Sequence, residues 1–128
     1  DYDNAFKEDN FLPTLQSVLD ADAIILATPV YWYMISSQLK QFIDRLSDIT
    51  RFYPDLLQQL NQKRVFLLIT GESDEAPEEI ASALEKICTH LQMNYIDSLY
   101  IQFEEQRPKS SNFMGQIRKF TSNILKGE

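Results

Sequence analysis

Three consecutive aromatic residues, Tyr31, Trp32 and Tyr33, are the side chains of this chain best suited to bind a flat, apolar ligand. They follow the apolar run Ala23–Thr28, which predicts a strand, and Pro29, which ends it because proline cannot donate to a sheet ladder. Open α/β sheets bind ligands at the carboxyl ends of their parallel strands. The alternative is that the three rings cap the core. Because neighbouring side chains diverge along an extended chain, we expect at least one ring to be exposed or to face a ligand.

A second candidate wall for the same site is the loop at Thr70, Gly71 and Glu72. It follows another continuous apolar run, Arg64–Thr70, that predicts a strand. Glycine permits backbone conformations closed to other residues and lets a backbone approach a ligand closely. The alternative interpretation is an ordinary turn between a strand and a helix.

The single cysteine and the single histidine offer little other chemistry. Cys88 lies in an apolar row of a predicted helix, which favours a buried residue over a nucleophile. A lone cysteine forms no disulfide within the chain, and this fits a reducing compartment. His90 has no second histidine or acidic cluster at ligand spacing, so we expect no metal site and place His90 on or near a helix surface.

The composition is that of a globular protein with an acidic surface. The chain has 128 residues, 44% apolar and 24% charged, and a net charge of −7. That charge argues against a nucleic-acid partner, because phosphate binding requires a basic patch. It favours solubility, with electrostatic steering of a basic redox partner as the alternative. No apolar run approaches the roughly 20 residues of a membrane span, so we expect no membrane association and a cytoplasmic location.

Helices and strands alternate along the sequence and must position the two loops. Apolar residues spaced three and four apart predict helices, and continuous apolar runs predict strands covered on both faces. This order predicts a single domain over residues 1–128, a three-layer α/β/α sandwich with a parallel sheet. The predicted elements are an irregular lead-in to Asn10, helix Phe11 to Asp20 capped by Asp9 or Asn10, strand Ala23 to Thr28, a helix capped by Ser36 and Ser37 and ended by a break at Asp48 to Tyr53, a short helix Pro54 to Leu60, strand Arg64 to Thr70, helix Pro77 to Gln92, an edge strand Tyr95 to Phe103, a loop Glu104 to Ser110, and a helix from Ser111 or Asn112 that ends before Gly127.

Two motifs in fixed order give this sequence a specific resemblance. The loop Thr28-Pro29-Val30-Tyr31-Trp32-Tyr33 is followed by the helix Leu39-Lys40-Gln41-Phe42-Ile43-Asp44-Arg45, and a later strand ends in Thr70-Gly71. In this arrangement the sequence resembles the flavodoxin-like NAD(P)H-dependent FMN reductase family. The stretch Ala21 to Leu46 carries most of the resemblance.

The resemblance implies a non-covalent FMN at the carboxyl edge of the sheet. NAD(P)H would reduce it, and electrons would pass to a quinone, a flavin or a similar small-molecule acceptor. No protein acid, base or nucleophile is required, since hydride transfer is chemistry of the cofactor. The resemblance also suggests a homodimer. Alternatives are a non-catalytic flavodoxin-like electron carrier or binding module, and a truncated fragment unable to hold FMN. The implied cofactor-binding residues are Thr28, Pro29, Val30, Tyr31, Trp32 and Tyr33 on one side of the ring and Thr70, Gly71 and Glu72 on the other.

The family begins with a strand and a phosphate-binding loop that have no counterpart in this sequence. In the flavodoxin-like strand order 2-1-3-4-5, the chain would supply only strands 3, 4 and 5. The strand Ala23–Thr28 would then lack its neighbour and become a hazardous apolar edge. We therefore expect the sequence to be the carboxyl-terminal part of a longer chain, or a truncated product that needs a partner strand.

Overall fold

A four-stranded sheet with helices on both faces forms the part of the protein that the computed structural model describes, residues 10–126. The lead-in predicted before Asn10 and the position of Gly127 lie outside these residues. The strands are β1 (Ala23–Pro29), β2 (Arg64–Gly71), β3 (Asn94–Glu104) and β4 (Arg107–Pro108). The helices are α1 (Phe11–Asp20), α2 (Ser37–Phe52), α3 (Pro54–Leu60), α4 (Glu78–His90) and α5 (Phe113–Leu125).

Parallel pairing brings the ends of the first two strands together. β1 pairs with β2 from Ala23 opposite Arg64 to Pro29 opposite Thr70, and β2 pairs with β3 in the same direction. The two predicted binding loops therefore leave the sheet side by side. This arrangement confirms the predicted flavodoxin-like α/β fold. Within residues 10–126, β1 has no partner strand on the side away from β2.

The two apolar strands differ in how they are covered. β2 is covered on both faces as predicted, with Phe66 and Leu67 fully buried. The ring of Phe120 from α5 packs edge-on against the ring of Phe66, with 5.7 Å between the ring centroids. The same prediction for β1 is wrong in the described part of the chain, since Ile25 is 50% exposed and Ala27 is exposed too. The reason is positional: α5 contacts the β3 side of this face, and no described element lies over the β1 side.

Two predicted breaks in regular structure are replaced by other elements. The break expected at Asp48–Tyr53 is instead helical to Phe52, because Ile49 is fully buried in the core and Asp48 pairs with Arg45 one turn earlier. The loop expected at Glu104–Ser110 contains β4, which folds back antiparallel on the end of β3 and makes the sheet mixed.

The predicted edge character of β3 holds along most of its length. β4 pairs only with Phe103 and Glu104, so the rest of β3 is paired on its β2 side alone within the described residues.

Helices α1 to α4 build the main core on the other face of the sheet. One cluster joins α1, α2 and α3 through Leu15, Ile49 and Leu60. A second joins β2 to α4 through Leu67 and Leu84. This packing fixes the helix that follows the aromatic loop and the helix that follows the Thr70–Glu72 loop.

Candidate functional site

Residues 31–34, the aromatic hairpin, form a tight two-residue turn at the carboxyl end of β1. The N–H of Tyr31 donates to the carbonyl of Met34 at 2.9 Å, and the N–H of Met34 donates back to the carbonyl of Tyr31 at 3.0 Å. The two central residues, Trp32 and Tyr33, have φ angles of 48° and 68°. Positive φ at both positions is the pattern of a type I′ turn, which normally carries Asn and Gly. The backbone of two aromatic residues is thus held in the left-handed conformation, at a cost on the order of 1–3 kcal/mol per residue.

The rings of the aromatic hairpin point away from the core. Tyr31, Trp32 and Tyr33 are 58%, 90% and 70% exposed. Val30 and Ile35, the residues that flank the hairpin, pack instead on the cluster around Leu67. The core-capping interpretation of the three aromatic residues is therefore wrong.

Buried polar contacts hold the two ends of the hairpin. The Thr28 hydroxyl accepts a hydrogen bond from the N–H of Ser36 at 2.9 Å and donates to the Pro29 carbonyl at 2.7 Å. The Ser36 hydroxyl accepts from the N–H of Leu39 at 3.2 Å, which caps α2 as predicted. The N–H of Val30 donates to the carbonyl of Thr70 at 2.8 Å, so the hairpin is also tied to β2.

The opposite wall is the segment of residues 72–77 that joins β2 to α4, here named the acidic loop. Two side chains of β3 hold it. The Tyr100 hydroxyl donates to the Ser73 carbonyl at 2.6 Å. The Gln102 amide nitrogen donates to the Glu72 carbonyl at 2.8 Å and to the Asp74 carboxylate at 3.2 Å.

Gly71 is needed for packing between the walls. A Cβ at this position would lie 2.8 Å from the Tyr100 hydroxyl oxygen and 3.3 Å from the nearest methyl of Val30. The position that a Cβ would take is therefore occupied by the protein's own side chains, while Gly71 still lines the groove described below. Gly71 serves the site by letting the Tyr100 side chain approach the end of β2 closely.

An open groove of about 810 Å³ lies between the aromatic hairpin and the acidic loop. All of the predicted site residues line it except Thr28. The side chain of Thr28 is only 3% exposed, and its hydroxyl holds the hairpin. The lining residues are Pro29, Val30, Tyr31, Trp32, Tyr33, Thr70, Gly71, Glu72, Ser73, Glu75, Ala76, Pro77, Tyr100 and Phe103.

Sequence reasoning missed the part of the lining that β3 and the acidic loop supply. Tyr100 and Phe103 come from the strand beside β2, and Ala76 and Pro77 from the end of the acidic loop. The available signal was that neighbouring parallel strands end at the same edge, so aromatic residues late in β3 had to lie near Gly71.

The charged side chains that line the groove bear on which chemical groups it can bind. Its charged lining residues are Glu72 and Glu75, both exposed and both acidic. A flat ring system with polar edges, such as an isoalloxazine, fits aromatic side chains and loop backbone of this kind. Among these lining residues a phosphate would meet the carboxylates of Glu72 and Glu75 and no Lys or Arg side chain, so the lining suits the ring of FMN better than its phosphate.

The remaining reactive side chains lie elsewhere. Cys88 is 1% exposed, as predicted, and burial, with a smaller contribution from Glu85, raises the pKa of its thiol to about 11. His90 is exposed at the end of α4. Within residues 10–126, no group of three or more His, Cys, Asp or Glu side chains is placed to hold a metal ion. None of the helices in the same residues is long and apolar enough to cross a membrane.

Comparison with known proteins agrees with the fold and gives the family. The profile of the family described as NADPH-dependent FMN reductase matches residues 1–107. The chain belongs to the NADPH-dependent FMN reductase family. The family implied by the aromatic loop is thereby confirmed, and FMN is the group named in the description of that family.

Two curated relatives carry related names. A segment of 66 residues, 50% of this chain, is 35% identical to the putative NAD(P)H-dependent FMN-containing oxidoreductase YwqN of Bacillus subtilis and covers 36% of that protein. A segment of 39 residues, 30% of this chain, is 49% identical to FMN-dependent NADH:quinone oxidoreductase 1 of Pseudomonas syringae and covers 19% of it. The matched segments thus span well under two thirds of these reductases.

Solved structures share the architecture. The Trp repressor binding protein from Bacillus subtilis superposes with a TM-score of 0.77 at 25% identity, over 92% of this chain and 73% of that one. General stress protein 14 of Treponema denticola, solved in complex with FMN, gives a TM-score of 0.72 at 13% identity, over 94% and 75% of the two chains. The second likeness is one of fold alone.

Proposed function

We propose that this protein is an FMN-dependent NAD(P)H oxidoreductase whose groove holds the isoalloxazine ring of FMN. Electrons would pass from NAD(P)H through the flavin to a quinone, a free flavin or a similar small acceptor. The family assignment supports the reaction class. The acidic lining supports an acceptor that is uncharged, because Glu72 and Glu75 repel anions.

The observation that carries this proposal is the exposed, strained aromatic hairpin. The indole of Trp32 is 90% exposed, so it gains almost no hydrophobic stabilisation from folding in this position. Backbone strain of this kind persists where the surrounding structure imposes it, and it concentrates at ligand-binding positions. The hairpin is therefore kept for binding and not for stability.

In this proposal the chain's own residues bind and orient, and bound FMN supplies the hydride-accepting ring. The residues of the aromatic hairpin offer stacking area on one side, and the Thr70–Glu72 backbone lies along the other. Proposed cofactor contacts are Pro29, Val30, Tyr31, Trp32, Tyr33, Thr70, Gly71 and Glu72.

The test is a visible absorption spectrum of the purified protein during titration with FMN and then with NADPH. We expect a bound-flavin spectrum that bleaches on addition of NADPH. Flavin binding without bleaching would favour the electron-carrier alternative, and no bound flavin would favour the fragment unable to hold FMN.

The variant Trp32→Ala connects that spectrum to the hairpin. Loss of one stacking ring is expected to weaken FMN binding about tenfold with the fold intact. The matched control is Leu125→Ala, which removes a 78% exposed apolar side chain from α5, outside the groove lining. Equal affinities in the two variants would contradict a role of Trp32 in binding.

We further propose that the protein is a homodimer in the cytoplasm, with residues 1–128 as part of one flavodoxin-like domain. Four consecutive large side chains, residues 31–34, are more than half exposed, and a second copy would cover their outer side. In α2, Asp44 pairs with Lys40, and Arg45 pairs with Asp48. Because these charges are already paired within the chain, the proposed dimer contact rests on the apolar side chains of residues 31–34. Light scattering that gives a monomeric mass at micromolar concentration would contradict the dimer.

A further inference from the structure

Tyr100 connects three parts of the groove that come from different elements. Its ring lies against Gly71 at the end of β2, where a Cβ would meet its hydroxyl at 2.8 Å and its Cε2 at 3.3 Å. Its hydroxyl donates to the Ser73 carbonyl at 2.6 Å. The same side chain lines the groove opposite the aromatic hairpin.

The acidic loop requires such ties because its own charges oppose a fixed conformation. Glu72, Asp74 and Glu75 are all exposed within four positions, and like charges this close repel. The attachments of the loop are the Tyr100 bond and the two bonds from Gln102, both on β3, and a 3.9 Å contact between Asp74 and Lys109, which follows β4. The Tyr100 bond is the shortest, and it comes from the one of these three side chains that also forms part of the groove wall.

We propose that Tyr100 is a positioning residue that orders the acidic loop as the second wall of the groove, and that Gly71 is required because it leaves room for this contact. The consequence for FMN rests on the proposed function. An ordered loop holds the Thr70–Glu72 backbone at a fixed place, so the flavin ring does not have to order it on binding.

The hydroxyl keeps its donor proton throughout the physiological pH range. Burial, and to a smaller extent the negative charge of Asp74, raise the pKa of Tyr100 above the ordinary value of 10.0. The proton needed for the bond to Ser73 is therefore present at neutral pH.

The primary test compares Tyr100→Phe with the unaltered protein and with Tyr95→Phe by backbone hydrogen exchange without flavin. Tyr95 lies on the same strand and does not line the groove, so its variant controls for loss of a hydroxyl from β3. We expect exchange in residues 72–76 to become about tenfold faster in Tyr100→Phe only, with the amides of β2 unchanged. Uniformly faster exchange, or no change relative to Tyr95→Phe, would overturn the proposal.

A double-mutant cycle identifies the contact itself. Gly71→Ala pushes the Tyr100 hydroxyl from its place, so it should speed loop exchange as Tyr100→Phe does. The double variant Gly71→Ala/Tyr100→Phe should exchange no faster than either single variant, because both changes break one contact. Additive effects would show that Gly71 acts on something else.

Flavin binding is the second readout for the same proteins. FMN dissociation constants, measured by quenching of flavin fluorescence, should rise about 3- to 10-fold in Tyr100→Phe and not in Tyr95→Phe. A mobile loop with unchanged FMN affinity would overturn the role of the loop as a wall. Failure of the unaltered protein to bind FMN would refute the proposed function, while the exchange rates would still decide whether Tyr100 orders the loop.

Discussion

The two walls of the groove are held in opposite ways. The aromatic hairpin is closed by its own backbone, through the paired hydrogen bonds of Tyr31 and Met34, and its side chains remain exposed. The acidic loop is held by side chains from β3, above all Tyr100 and Gln102. One wall is local and strained, and the other depends on residues about 30 positions away in the chain.

This difference assigns ligand binding mainly to the hairpin and makes the order of the acidic loop depend on contacts from β3. The turn of the hairpin is closed by its own N–H and carbonyl groups, and its ends are held by the contacts of Thr28 and Val30. The acidic loop cannot order itself against its own charges, so its position depends on the fold. Changes to the hairpin should therefore alter binding chemistry, and changes around the loop should alter how well the site is formed.

The largest effect is expected where the hairpin is anchored. Thr28→Val keeps the side-chain volume but leaves the buried N–H of Ser36 without its acceptor. We expect the free energy of unfolding to fall by about 1–3 kcal/mol, measured by urea denaturation. Thr28→Ser retains the hydroxyl and serves as the control. Equal losses in both variants would indicate a packing effect instead.

Relief of backbone strain in the hairpin should raise the free energy of unfolding instead of lowering it. The double substitution Trp32→Asn with Tyr33→Gly places the preferred residues of a type I′ turn at φ angles of 48° and 68°. We expect a gain of about 1–2 kcal/mol in unfolding free energy together with weaker FMN binding. A variant that loses stability would show that the two rings support the fold after all.

A smaller effect is expected on the second wall when Gln102 loses its amide. Gln102→Met keeps the length of the side chain and removes both hydrogen bonds to the acidic loop. Because the site is partly exposed, we expect the free energy of unfolding to fall by only about 0.5 kcal/mol. Amide exchange should become faster in residues 72–76 alone. Gln58→Met on α3 is the control, and the same change in its exchange pattern would argue against a specific tie.

The smallest effect concerns the charge of the acidic loop. The double substitution Glu72→Gln with Glu75→Gln should lower the KM for the anionic acceptor ferricyanide about two- to threefold at low salt, and added salt should remove the difference. The KM for a neutral benzoquinone should not change. Glu79→Gln, exposed on α4 outside the groove lining, is the control. A shift for both acceptors would contradict an electrostatic cause.

Local patterns were enough to predict most of the elements. Continuous apolar runs predicted β1 and β2, and apolar spacing predicted α1, α4 and α5 within a few residues of their observed bounds. The errors have a common cause. The covering of β1, the extension of α2 to Phe52 and the pairing of β4 all depend on which distant residues pack against a segment, and local composition does not contain that information.

The sequence alone determined that an aromatic loop follows the apolar strand β1 and that β2 ends at Gly71, because strand ends and turn residues are local properties. Only the tertiary structure decided that Thr28 anchors the hairpin instead of lining the groove, and that Tyr100 occupies the space beside Gly71. Both roles arise from contacts between segments separated in the chain, and such contacts exist only once parallel pairing has placed the ends of β1, β2 and β3 at one edge of the sheet.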